Sequence, residues 1–204
     1  ITATAGCLVS GVSRLAANHS LTGLEFAVGI PGSLGGALYM NAGAYDGEIG
    51  PLVDSVTWVT AEQVGTWSKN EFTYSYRHSR AQEERIIIAQ ATLKLEPGTK
   101  EAIYEKMIEF QNRRISRQPL EWPSAGSTFK RPSGHYVGPM IEECNLKGFS
   151  IGGAQVSTKH AGFIINTGGA TAADILDLIA YVQKTIKDKY GVELEPEVRI
   201  IGER

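Results

Sequence analysis

Cysteine is nearly missing: the 204 residues contain two, Cys7 and Cys144. They match no metal-ligand spacing, and two lone thiols suit a reducing, cytoplasmic setting better than a disulfide-stapled secreted fold. No run approaches the roughly 18 apolar residues that a membrane-spanning helix needs. A surplus of either charge is also lacking, with 20 Lys and Arg against 22 Asp and Glu. A net charge of −2 gives no electrostatic reason to expect nucleic acid or an anionic membrane as partner, so any site for an anion must be local. The four histidines share no ligand spacing either, and no metal is expected. No Met and no charged lead-in stand before Ile1, so the start is not a signal peptide and further residues are expected to precede it.

What remains is globular in character, with 42% hydrophobic and 21% charged residues, enough for one large or two small domains. Leu8, Val12, Leu15 and Ala16 keep helical spacing, and a small-residue loop follows near Asn18 to Thr22. Val53, Val56, Trp58 and Val59 predict a strand, and Arg85 to Leu95 a stronger one. Thr99 is a plausible N-cap for a helix that uses Ile103, Met107, Ile108 and Phe110 and stops before Pro119. Arg113, Arg114, Arg117, Pro119, Trp122 and Pro123 read as a basic, proline-punctuated connection between domains 1–117 and 118–204. Further on come a strand at Ala161 to Asn166 and a final helix. Thr171 and Asp174 open that helix as a capping box, Ile175, Leu178, Ile179, Val182 and Ile186 form its stripe, and Gly191 stops it. A short strand, Val198 to Ile201, is expected to end the chain. Strands and helices do not alternate as in a doubly wound sheet, so the fold class is α+β.

Five segments can carry chemistry. The densest in glycine runs from Gly29 to Ala44, and its glycines let backbone approach a phosphate or a ring edge, or simply form tight turns and close helix contacts. The spacing Gly29, Gly32, Gly35 is not the dinucleotide fingerprint, and no Gly-Lys-Ser/Thr closes a P-loop. In Tyr74-Ser75-Tyr76-Arg77-His78-Ser79 an arginine among aromatics and hydroxyls could aim its guanidinium at a carboxylate or phosphate, or lie on the surface. In Ser124-Ala125-Gly126-Ser127-Thr128-Phe129-Lys130-Arg131 a serine on a small-residue turn stands near two cations. No nucleophile elbow surrounds it, so it either caps a turn or donates a proton to a strongly basic intermediate. His160 opens an apolar strand, as a ligand contact or as a satisfied structural group. The last segment, Glu195-Pro196-Glu197-Val198-Arg199, places carboxylates near the end of the chain.

In their order and wording, IPGSLGGALYMNAGAY, YSYRHS, AGSTFKRP, GFSIGGAQVSTKHAGFIIN and LEPEVRIIGE closely resemble the UDP-N-acetylenolpyruvoylglucosamine reductase family, in its shorter (type II) form. The resemblance runs from Ile1 to Arg204. It implies the second subdomain of a vanillyl-alcohol-oxidase-type FAD-binding module over 1–117 and a small α+β substrate-binding domain over 118–204. The family's first subdomain, with its Gly-Ser-Asn phosphate loop, would precede Ile1. The implied activity is NADPH-dependent, FAD-mediated reduction of UDP-N-acetylglucosamine enolpyruvate to UDP-N-acetylmuramate for peptidoglycan, by a monomer. By the same resemblance Arg77, Ser127 and Glu197 are catalytic. Arg77 and Glu197 would face the substrate carboxylate, and Ser127 would give a proton with Lys130 nearby. Gly32, Ser33, Gly35, Gly36 and Asn41 would meet the flavin, and Tyr76, Lys130, Arg131 and His160 the substrate. Two alternatives stand beside it: a module that only binds the nucleotide sugar, and a flavin oxidase on the same scaffold.

Overall fold

The chain is described by a computed structural model, of which residues 1–202 are described, so Glu203, the last residue of the LEPEVRIIGE motif, lies outside the described residues. Two units separate, one spanning Ile1–Arg114 and the other beginning at Ile115. Among the described residues no helix is long and apolar enough to cross a membrane.

The first unit is built on an antiparallel sheet in which Thr2–Thr4, Ile87–Leu93, Val53–Val59 and Val64–Ser68 lie side by side in that order. Strict alternation would not bury both Val53 and Val56. A register shift between Val53 and Ser55 inserts one residue, so both turn to the core. The sheet packs with helices α1 (Val9–Asn18), α2 (Leu34–Tyr39) and α3 (Lys100–Arg117) around one apolar cluster. In α1 the buried face is Val9, Val12, Ala16 and Ala17; Leu8 precedes the helix and is exposed, as is Leu15. Ile103, Met107 and Phe110 are the buried side of α3. Ile108, expected beside them, is exposed, because one residue further on the helix surface has turned by about 100°.

The expected basic connection is corrected at one point. Arg113, Arg114 and Arg117 are not linker but the last turns of α3, which ends just before the residue preceding Pro119. Arginine is a good helix former, and its charge is favourable at a helix C-terminus.

The second unit has a four-stranded antiparallel sheet, ordered Ser124–Ser127, Phe163–Asn166, Ala154–Val156 and Ser150–Ile151. Helix α4 (Val137–Glu143), which the sequence reading missed, and helix α5 (Ala172–Tyr190) cover it. On α5 the predicted stripe is buried at Leu178, Ile179, Val182 and Ile186. Its ends are the predicted ones: Thr171 Oγ accepts from the Asp174 N–H at 3.1 Å, Asp174 accepts from the Thr171 N–H at 2.9 Å, and Gly191 takes φ 69°. Antiparallel sheets with helices laid on them make the chain α+β.

The terminal strand expected at Val198 to Ile201 is absent. The pairing occurs earlier, at a single bridge between Phe129 and Pro196. Proline offers no N–H to extend a ladder, and Ile201 beyond it is 91% exposed.

Candidate functional site

In the first unit an open cleft of about 590 Å³ lies among Phe26, Tyr45, Asp46, Glu48, Tyr76 and Arg77. One wall is the hairpin of Gly43–Ala44 and Gly47–Glu48. Both residues at its tip, Tyr45 (φ 52°) and Asp46 (φ 64°), are left-handed, as a two-residue hairpin of this twist demands. Such turns usually hold Asn-Gly. Here Tyr45 is secured by stacking on Phe110, with ring centres 4.7 Å apart, and by Arg113, 4.8 Å from its ring centre. A side chain on Gly47 would run into Phe26, its Cβ 2.6 Å from the ring.

A second hairpin, Tyr74–Ser75 with His78–Ser79, carries Arg77 at its tip. Arg77 has φ 54°, a left-handed conformation that non-glycine residues adopt at a cost of about 1–2 kcal/mol. Its Nη2 donates to the Gly43 carbonyl at 3.1 Å, and its guanidinium carbon lies 4.8 Å from the Tyr76 ring centre. Beneath the hairpin, Asn41 is completely buried and itself left-handed. Its Nδ2 donates to the Ser75 carbonyl (2.8 Å) and to Glu48 (2.9 Å), and its Oδ1 accepts from the Gly50 N–H (2.9 Å). Gln82 Nε2 donates to the carbonyls of Tyr39 (2.6 Å) and Arg77 (3.2 Å), and Ser79 Oγ donates to the Tyr39 carbonyl (2.9 Å). The glycine segment and the arginine motif, separate in the sequence, are one hydrogen-bonded body.

The residues expected to meet a flavin differ in their surroundings. Asn41, with three bonds made to protein groups and no exposed surface, serves as an internal brace. Ser33 caps α2 by accepting from the Gly36 N–H at 3.2 Å. Gly35 lies against the first strand's end: an added Cβ would sit 2.9 Å from that of Ala5. Gly32 (φ 123°) has open space where a Cβ would be, and Gly36 meets only the Ser33 hydroxyl, at 3.5 Å. Those two keep an approachable backbone; Gly35 packs.

In the second unit, Ser127 ends its strand opposite Phe163, exposed, just after the left-handed Gly126. The next residues hold the segment around Glu197. The Thr128 carbonyl accepts from the Glu197 N–H and Lys130 N–H donates to the Glu195 carbonyl, each at 2.8 Å. The structure therefore brings Ser127 and Glu197 together on neighbouring strands of backbone, 70 positions apart in sequence. Lys130 Nζ is engaged by Glu195 Oε1 at 2.5 Å. That pair joins the turn after Ser127 to the segment before Glu197. Arg131 stacks on Tyr136, its guanidinium carbon 3.8 Å from the ring centre.

His160 sits on a tight loop in which the buried Ser157 hydroxyl accepts from the N–H groups of Lys159 and His160. Its Nδ1 accepts from the Gly162 N–H at 3.1 Å, so in the neutral ring the proton is on Nε2. Burial pushes the imidazole below its ordinary value of 6.5. Gly162 lies close beside it: a Cβ there would be 3.1 Å from the ring, a tight approach, and 3.7 Å from Ser127 Oγ, an ordinary contact.

Sequence reasoning missed Gln82 and Glu48, and gave Ser79, inside the arginine motif, no role of its own. Nothing in their own spacing marks them; only the pairing of the arginine hairpin with the end of α2 makes them neighbours of the site.

Comparison with known proteins bears on the whole chain. Residues 118–201 match the family model described as UDP-N-acetylenolpyruvoylglucosamine reductase, C-terminal domain. The enzyme of that name from Lactobacillus acidophilus is 55% identical over 203 residues, covering 99% of this chain and 68% of its own. The one from Caldanaerobacter subterraneus is 52% identical over 205 residues, covering 100% of this chain and 68% of its own. Among solved structures, UDP-N-acetylenolpyruvylglucosamine reductase (MurB) from Thermus caldophilus superposes with a TM-score of 0.86 at 33% identity, covering 98% of this chain and 71% of that one. With its cleft, its strained arginine and its paired serine and glutamate segments, the chain belongs to the UDP-N-acetylenolpyruvoylglucosamine reductase family.

Proposed function

We propose that this chain carries the NADPH-dependent, FAD-mediated reduction of UDP-N-acetylglucosamine enolpyruvate to UDP-N-acetylmuramate in peptidoglycan synthesis. The observation that carries this reading is Arg77, held left-handed at the tip of a braced hairpin and lining a cleft. A bulky cation in a conformation that favours glycine points to a requirement for its guanidinium at that place.

FAD would be held on the exposed backbone of Gly32 and Gly36 and beside Ser33, where the absence of Cβ atoms leaves room for a planar ring or a pyrophosphate. When bound and reduced by NADPH, such a cofactor would supply the hydride needed at the β-carbon of the enolpyruvyl group. The residues of the chain do the rest. Arg77 pairs with the substrate carboxylate, where charge grows as the α-carbon acquires enolate character. Ser127 donates its hydroxyl proton to that carbon; a serine is a weak acid, and it suffices because an enolate is strongly basic. Glu197 stabilises the enol form at the carboxylate. Lys130, through Glu195, fixes the segment that carries Glu197. His160, kept neutral by burial, offers Nε2–H as a donor to substrate oxygen, with Arg131 and Tyr76 as further substrate contacts.

The test is substrate-dependent NADPH oxidation by the flavin-loaded protein, together with the same assay on Ser127→Ala. That variant should still accept electrons from NADPH and lose product formation by about 10²- to 10⁴-fold. Flavin retention with NADPH oxidation indifferent to the enolpyruvyl nucleotide would refute the reading, and oxidation sustained by oxygen alone would point to an oxidase.

A further inference from the structure

We infer that Gln82 is a positioning residue for Arg77, acting with Asn41 through the backbone of the arginine hairpin. The inference rests on the reading of Arg77 as the carboxylate-binding group. A left-handed arginine persists only where its surroundings over-determine the backbone, and here they do so on both sides of the tip. Asn41 holds the carbonyl of Ser75 before the tip, and Gln82 holds the carbonyl of Arg77 itself. Both anchors lead back to one place. Asn41 follows the end of α2, and Gln82 grips the carbonyl of Tyr39, the last residue of that helix.

The orientation of each amide is dictated by its partners. Asn41 Nδ2 faces a carbonyl and a carboxylate while its Oδ1 faces an N–H, and Gln82 Nε2 faces two carbonyls; reversing either would set oxygen against oxygen. The hairpin is tight enough to leave no slack. Tyr74 lies on Gly50, where a Cβ would be 2.5 Å from its ring and 2.8 Å from Asn41 Oδ1. With the amide of Gln82 removed, the carbonyl of Arg77 loses its anchor and the residue can relax toward an ordinary φ. That swings the side chain away from its place beside the Gly43 carbonyl, on the wall of the cleft.

The experiment uses the enzyme as it occurs, with whatever sequence flanks these 204 residues and with FAD bound. Gln82→Met keeps the length of the side chain and removes both donors. Gln82→Glu, close to isosteric, serves as a second variant should the first not fold. Turnover of the enolpyruvyl nucleotide should fall by about 10- to 100-fold, as expected when a catalytic group is misplaced by an ångström. NADPH-driven flavin reduction should stay near wild type, whatever melting temperature is lost with the bonds to the two carbonyls. In an Arg77→Ala background the Gln82 change should cause no further loss, since it has nothing left to position. Wild-type turnover in both Gln82 variants would overturn the inference. So would equal losses in the two half-reactions, or a loss that multiplies with that of Arg77→Ala. Full turnover in Arg77→Ala alone would instead refute the functional reading of Arg77, and the inference with it.

Discussion

Replacing Arg77 by glycine and, separately, by alanine isolates the cost of its backbone from the contacts of its side chain. Both variants lose the bond from Nη2 to the Gly43 carbonyl and the approach to the Tyr76 ring, so those terms cancel between them. What differs is φ 54°, which alanine must adopt at a cost of about 1–2 kcal/mol and glycine adopts freely. Glycine gives back about 0.4–1 kcal/mol because its unfolded chain is more disordered. The glycine variant should therefore be the more stable by roughly 0.5–1 kcal/mol. For a unit the size of Ile1–Arg114 that is a difference in melting temperature of about 2–5 °C. Urea and thermal denaturation of the two proteins measure it, and turnover assays should find both equally defective, because neither carries a guanidinium. An alanine variant as stable as the glycine variant would show that position 77 stores no strain, and the argument from strain to function would fall.

Gly35→Ala should destabilise the protein despite the better helix propensity of alanine. Its Cβ would meet the Ala5 side chain at 2.9 Å and the Ala5 carbonyl at 3.3 Å, groups that cannot swing aside, so a loss of about 1–3 kcal/mol in denaturant titration is expected; unchanged stability would count against the close packing of α2. For His160 the folded state lowers the pKa, chiefly through burial, so the unfolded chain binds more protons in the window from just above 6.5 down to the folded value. Its contribution to stability is present above pH 6.5 and lost as the pH falls through the folded pKa. His160→Gln should flatten that part of the stability–pH curve, and an unaltered curve would remove His160 as its source.

Some of this molecule was legible in the sequence. Helix α5 was readable at both ends and along its face, because a capping box, a 3.6-residue stripe and a left-handed glycine are each settled by neighbours a few positions away. The α+β class and the existence of the main strands followed from periodicity in the same way. The five motifs carried the family, which the relatives bear out. Local reading stopped where pairing decided the outcome. One inserted residue between Val53 and Ser55 moved a strand out of its two-residue rhythm, and only the partner strand shows it. The terminal segment looked like a strand at Val198 to Ile201, but its pairing with Phe129 was used at Pro196, where the ladder stops.

The candidate site divides along the same line. The family resemblance carried by the motifs singled out Arg77, Ser127 and Glu197, since residue type and motif order are one-dimensional properties. It also named Asn41, but could not tell a ligand contact from a brace. That distinction depends on whether the side chain's bonds are made to the protein or left for something else. Tertiary structure adds the side-chain half of the answer, by folding Ser75, Glu48 and Gly50 around one buried amide. It decided the partner of Lys130 as well, and it enlisted Gln82, whose role exists only because a hairpin tip and a helix end, more than 30 residues apart in the chain, share one hydrogen-bond donor. Hydrogen bonds and close packing act over a few ångströms of space regardless of separation along the chain, and that is why the motifs were visible in the sequence while the contacts that hold them in place were not.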